Sequence, residues 1–346
     1  MLHVAPMAAV TDRHFRMLIR CVSPLPTLWS EMTWDTVAIE TVDAEALMGF
    51  SAAERPVVLQ LGGSQPERLA RAAALAVSRG YQHINLNCGC PAGTNEWRAC
   101  YGARLMLDPR LVATPSRWAR RRRPSVKCRL GVDGRDSYDG LVEFVRLVSG
   151  EGGVRVFIVH ARVALLTLNA AANRTVPPLD HERVLRLAAA FPHLTFIING
   201  GVTSLEQAAA LIARGVRGAM IGRQSVTEPY LFARSAVLSG GGGAARSRRE
   251  ALDLYLTYAS EAQAANWGGG HPVTLARALL APISGLFHAT ESGSRWRRAV
   301  RAAMQERGRL RDCPIADSGG RAARRPPCGG TAALAARRTV ARRGRK

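Results

Sequence analysis

Two residues in this chain stand where their chemistry is specific. Cys90 lies in Asn87-Cys88-Gly89-Cys90-Pro91, directly after the apolar run His83-Ile84-Asn85-Leu86. That context places a thiol at the C-terminal end of a buried strand, between a glycine and a proline that force a sharp exit. The second residue is Lys127. Of 48 basic side chains only two are lysine, Lys127 and Lys346, so arginine is used wherever a generic positive charge suffices. Lys127 lies inside the strand-like run Ser125-Val126-Lys127-Cys128-Arg129-Leu130. There a compact ammonium that can approach a ring atom differs from a planar guanidinium fork. Either residue alone reads equally well as a buried thiol or a stray lysine. Together, each near a strand end, they define a candidate site.

The elements that must position them recur along the chain. Eight short apolar runs alternate with helix-length segments: Leu2–Met7, Leu28–Met32, Pro56–Leu61, His83–Asn87, Ser125–Leu130, Val156–Ala161, Thr195–Asn199 and Gly218–Gly222. Several are continuously apolar, as strands buried on both faces of a parallel sheet require. Between them, Gln65–Arg79 is Ala-rich and stopped by Gly80, and Leu205–Arg214 follows the N-cap candidates Thr203-Ser204 and stops at Gly215. Eight βα units predict a TIM (β/α)8 barrel over residues 1–238, whose chemistry sits at the carboxyl ends of the strands. A doubly wound sheet is the alternative, but does not readily take eight such units. Residues 239–246 read as a Gly-rich linker. Residues 247–306 read as a small helical domain of three helices, Ser247–Asn266, Pro272–Phe287 and Gly293–Glu306, and residues 307–346 as a disordered Arg-rich tail.

The formal net charge is +22; residues 306–346 carry +9 of it, leaving +13 on the rest. The body is therefore basic without its tail, which points to a polyanion partner, nucleic acid ahead of a membrane surface. The seven cysteines form no CxxC and no paired framework, which predicts reduced thiols and no metal site. No run approaches the roughly 18 apolar residues of a membrane span, and no targeting segment is visible, so an intracellular protein, cytoplasmic or organellar, is expected.

Further rim residues follow from the same strand ends. Asn199-Gly200-Gly201 and Gly222-Arg223 follow the seventh and eighth strands, where barrels commonly bind phosphate on exposed backbone N–H groups. Arg223 adds a guanidinium fork to the same anion. Gln60 ends the third strand and His160 the sixth, facing the same mouth.

In order, Ala5-Pro6-Met7 with Thr11-Asp12-Arg13, Ser30-Glu31-Met32, Leu59-Gln60-Leu61-Gly62-Gly63, Asn87-Cys88-Gly89-Cys90-Pro91, Lys127-Cys128-Arg129-Leu130-Gly131, His160-Ala161-Arg162, Asn199-Gly200-Gly201 and Gly222-Arg223 resemble the motifs of the tRNA-dihydrouridine synthase family. Asn173-Arg174-Thr175-Val176-Pro177-Pro178-Leu179, Gly285-Leu286-Phe287 and Arg295-Trp296-Arg297-Arg298 resemble its dihydrouridine synthase A subfamily. The resemblance runs from about residue 3 to 304. It implies FMN at the barrel mouth, with Pro6 and Met7 lining the flavin. Gln60, Lys127 and His160 would meet the isoalloxazine or ribityl chain, and Asn199, Gly200, Gly201, Gly222 and Arg223 would hold the phosphate. It implies reduction of the uridine 5,6 double bond in tRNA at positions 20 and 20a, with NADPH as electron donor and Cys90 giving a proton to C5. A thiol with a pKa of about 8.5 is mostly protonated at neutral pH yet able to donate. Asn87 would position the pyrimidine, Arg129 and Arg174 would lie on the substrate side, and Arg295 and Arg297 would meet tRNA phosphates. A monomer is expected.

The chain departs from the family pattern on the substrate side. Trp97 and Arg98 are bulky, Arg104 replaces a small residue or Cys, and Val163 and Leu165 stand where Lys or Arg and Trp are usual. Cys100 competes with Cys90 for the acid role, though from the loop rather than the strand end. Two rivals follow: an FMN barrel reductase of a small molecule, and a non-catalytic RNA-binding descendant. The basic body counts against the first, and the retained Cys90, Lys127 and glycines against the second.

Overall fold

The computed structural model describes residues 1–91, 101–116, 124–235, 245–267 and 272–305. The predicted tail, Cys100 and most of the predicted linker lie outside these residues. Eight parallel strands alternate with helices: β1 (Leu2–Val4), α1 (Arg13–Val22), β2 (Leu28–Trp34), α2 (Asp35–Glu40), α3 (Ala44–Met48), β3 (Val57–Gly62), α4 (Pro66–Ser78), β4 (His83–Cys88), α5 (Pro109–Ser116), β5 (Ser125–Cys128), α6 (Tyr138–Gly150), β6 (Val156–His160), α7 (His181–Ala190), β7 (Thr195–Asn199), α8 (Leu205–Ala213), β8 (Gly218–Ile221) and α9 (Arg223–Thr227). From β2 to β8 each strand pairs with its sequence neighbour, and β8 pairs with β1. The ring closes where Val4 N–H donates to Thr27 O at 3.0 Å and Thr27 N–H to Leu2 O at 2.9 Å. This is the TIM barrel that the alternating apolar runs require.

The pleat sorts each strand into two faces. Leu59, Leu61, Ile84, Leu86, Cys88, Val126 and Cys128 join the main core between strands and helices. The alternate residues form a second cluster, of Trp29, Val58, Ile158, Ile197 and Met220 with Ala5. Two residues further along, β3, β6 and β7 carry Gln60, His160 and Asn199, so the barrel turns polar toward its carboxyl end. The Ala-rich stretch makes α4, whose Leu69, Ala72, Ala73 and Ala76 are buried, small residues that let the helix lie close to the sheet.

Element ends follow local chemistry. β1 stops at Val4 rather than Met7, because Pro6 has no N–H to continue the ladder. Beyond the barrel come α10 (Arg248–Ala264), α11 (Pro272–Leu280) and α12 (Gly293–Gln305). The single helix expected over Pro272–Phe287 is interrupted: α11 ends at Leu280, and Pro282 opens a separate 3₁₀ turn, Pro282–Gly285. Proline cannot donate the i→i−4 bond and clashes with the preceding turn. These helices are tied to α1. His14 Nδ1 and the Tyr258 hydroxyl share a 2.8 Å hydrogen bond, and the Arg13 guanidinium lies 4.8 Å from the Trp267 ring centroid. Among the described residues no helix is long and apolar enough to cross a membrane.

His3 is buried in β1, and its Nδ1 accepts from Trp29 Nε1–H at 3.3 Å, while Nε2 has no partner among the described residues. Burial pushes its pKa down to about 3, so His3 is neutral in the folded protein at pH 5. The unfolded chain binds that proton near pH 6.5, so stability falls as pH drops below it. Between pH 7 and 5, urea denaturation should show wild type losing about 2 kcal/mol more than His3→Gln. An equal loss would show that His3 is not held neutral by burial.

Candidate functional site

The rim residues named from the sequence converge on one cavity of about 630 Å³ at the carboxyl ends of the strands. Its lining includes Pro6, Met7, Gln60, Asn87, Cys90, Lys127, Arg129, His160, Arg174, Asn199, Gly200, Gly201, Gly222 and Arg223. Arg295 and Arg297 are elsewhere, exposed on α12. The cavity size suits a cofactor or drug-sized ligand.

A chain of amides builds the floor. Asn87 Nδ2–H donates to Gln60 Oε1 at 2.9 Å, Gln60 Nε2–H to Asn85 Oδ1 at 2.8 Å, and Asn85 Nδ2–H to Ser125 Oγ at 3.0 Å. Asn87 Oδ1 accepts from the N–H groups of Gly89 at 3.0 Å and Cys90 at 2.9 Å. One side chain thus shapes the turn carrying the thiol and ties it to the neighbouring strand. The Cys90 carbonyl accepts from Ala103 N–H at 2.8 Å, and a Cβ on Gly102 (φ +60°) would come within 2.3 Å of that oxygen. Glycine is needed there.

The cysteines divide by environment. Cys21, Cys88 and Cys128 are buried; desolvation raises Cys21 to about 11, Cys128 to about 12 and Cys88 well above its ordinary value. Cys90 is half-buried and lines the cavity.

Lys127 stands beside Asn87 in the β4–β5 register. Burial, then the nearby Arg129 charge, pushes its pKa down to about 8, and its ammonium has no hydrogen bond or ion pair among the described residues. His160 is held well below its ordinary value by burial and then by Lys127 and three arginines, so it is neutral at pH 7. Among the described residues no lining side chain is Asp or Glu, whereas Lys127, Arg129, Arg174 and Arg223 all face the space. Such a cavity favours an anionic ligand.

Gly200 and Gly201 supply open backbone. Their φ values are +102° and +69°, and a Cβ would meet the His160 ring at 2.5 Å or Leu179 at 2.4 Å. Neither N–H donates to a protein acceptor among the described residues. Arg129 is occupied otherwise: Nε–H donates to Gly89 O at 3.0 Å, and Nη1–H to Val163 O at 3.2 Å and Asn173 O at 3.1 Å. It bridges the Cys90 turn to the loop carrying Arg174, and Nη2 has no hydrogen bond among the described residues. Sequence reasoning did not single out Asn85, Ser125 or His181 as supports of this floor and rim. The alternation Asn85-Leu86-Asn87 was the available signal for the first, since it puts two amides on one face of β4.

Fold and site together define a parallel-barrel enzyme with a cavity-bearing rim that carries Lys and Arg side chains. A family model described as dihydrouridine synthase matches residues 3–316. A tRNA-dihydrouridine(20/20a) synthase of Vibrio parahaemolyticus is 39% identical over 304 residues, covering 86% of this chain and 90% of the relative. That of Vibrio vulnificus is 38% identical over the same length, and that of Escherichia coli K12 is 44% identical over 234 residues, covering 66% and 67%. The chain belongs to the dihydrouridine synthase family, whose members are flavin-dependent oxidoreductases.

Lys127 makes the ligand-free protein less stable than its fold allows. Its folded pKa lies below the unfolded value of about 10.4, so stability rises as pH increases from 8 toward that value. In the ligand-free state Lys127→Met should be more stable than wild type by about 2 kcal/mol at pH 7, and the gap should narrow by about pH 9.5. Denaturant titrations at both pH values measure it; a pH-independent gap would place the ammonium in solvent.

Proposed function

We propose that the chain is an FMN-dependent tRNA-dihydrouridine synthase acting at positions 20 and 20a of the tRNA D-loop, with NADPH as electron donor. The observation that carries this reading is that the Cys90 thiol and the Lys127 ammonium line one cavity whose described charged residues are all basic. The residues present suit FMN: unsatisfied N–H groups of Gly200 and Gly201, with Asn199, Gly222 and Arg223 beside them, fit a phosphate monoester. Lys127, Gln60 and His160 would face the ring system and ribityl chain, and Pro6 and Met7 would line it. The relatives' shared name supports tRNA as substrate.

When bound there, FMN would supply hydride chemistry toward C6 of the uracil ring, with NADPH as the electron source. Cys90 Sγ–H gives its proton to C5, and the thiolate left behind is reprotonated from solvent. Asn87 keeps one amide N–H free of the floor network and offers it to the uracil edge. Lys127 holds positive charge at the floor, where it favours an anionic ring. Arg129 keeps the Cys90 turn and the Arg174 loop in register. The uridine must leave its stack to reach the floor. Arg295 and Arg297 on α12 would then bind tRNA phosphates.

The test uses protein loaded with FMN, NADPH and tRNA lacking dihydrouridine. Wild type should oxidise NADPH in proportion to dihydrouridine formed. Cys90→Ala should retain its flavin content and form dihydrouridine about 10²–10⁴-fold more slowly. Full activity in Cys90→Ala would remove the thiol from the reaction, and NADPH oxidation indifferent to tRNA would favour a small-molecule reductase.

A further inference from the structure

We propose that His181 is a positioning residue for the cofactor phosphate: it pins the Gly200 carbonyl so that the same peptide presents the Gly201 N–H to a bound phosphate monoester. The inference rests on the reading that the Gly200-Gly201 loop holds the FMN phosphate.

His181 is the first residue of α7 and is not part of the cavity lining. Its Nε2 lies 2.8 Å from Gly200 O. A carbonyl oxygen only accepts, so Nε2 carries the hydrogen and donates. In a trans peptide the C=O and the N–H of the next residue point in opposite directions. Fixing Gly200 O toward His181 therefore turns the Gly201 N–H away from it. Gly201 lines the cavity, and that N–H has no protein acceptor among the described residues.

The loop needs such a restraint. Two consecutive glycines at positive φ have wide torsional freedom when nothing else holds them. The residues before His181 complete the hold. Asp180 N–H donates to Ala161 O at 2.9 Å, its carboxylate caps α7 at Arg183 N–H at 2.9 Å, and Leu179 packs against both glycines. The start of α7 thus clasps the loop after β7, and His181 is its polar contact with the glycine pair.

The experiment compares FMN with riboflavin, which lacks the phosphate, by flavin fluorescence titration of the ligand-free full-length protein, with thermal melting as a check on folding. Wild type should bind FMN more tightly than riboflavin. His181→Ala should raise the FMN Kd about five- to tenfold while moving the riboflavin Kd by less than about twofold. His181→Gln, whose side-chain amide can donate to the same carbonyl, should recover most of the loss. A parallel rise for both flavins, or no rise for either, would overturn the proposal while leaving the phosphate site in place. Equal affinity of wild type for the two flavins would overturn the phosphate reading itself, and this inference with it.

Discussion

An ammonium held in the barrel with no counter-charge among the described residues is the constraint around which the site is organised. Lys127 shares the inward face of β5 with Ser125, because the pleat repeats every two residues. Its neighbours across the sheet are Asn87 on β4 and Ile158 on β6, and the charge that acts on it most is Arg129, of like sign. The folded protein tolerates this because the cavity is open to a ligand rather than packed shut. A bound anion or an electron-rich ring supplies what the fold leaves out. The same logic explains why arginine fills nearly every other basic position. Arg129 and Arg162 satisfy backbone carbonyls with planar forks, a task a single ammonium does less well.

The second dependence is mechanical. Asn87 is at once floor and hinge pin: one end of its amide joins Gln60 and the other fixes the peptide groups that place Cys90. Arg129 extends that fixation across two more loops, and Asn173 organises the last of them. The Asn173 side chain accepts from Leu165 N–H at 2.8 Å and donates to Leu165 O at 2.7 Å and Leu168 O at 2.8 Å. Loops that would otherwise move independently are thus joined by buried polar groups, each with a partner. Such networks specify one arrangement of the rim.

Much of this was legible in the residue order. Continuous apolar runs ending in Asn, Gly, His or Lys announced strands buried on both faces with a reactive carboxyl end. Cys90, Lys127, His160 and both glycine motifs line the one cavity they were assigned to. What escaped was contact rather than type. His181 reads as an ordinary N-terminal helix residue, and nothing local says that its ring reaches a carbonyl nineteen positions away. The family resemblance put Arg129 on the substrate side, while three of its hydrogen bonds go to loop carbonyls distant in sequence. The break at Pro282 was written in the sequence, but apolar spacing across Pro272–Phe287 masked it.

The central claim is that this rim, with Cys90 and Lys127 on one cavity, makes dihydrouridine in tRNA. It is tested most directly by position-resolved mapping of dihydrouridine in the D-loop of tRNA from cells that produce the protein and cells that do not. The account predicts dihydrouridine at positions 20 and 20a in the first and unmodified uridine there in the second. The same dihydrouridine pattern in both would contradict it.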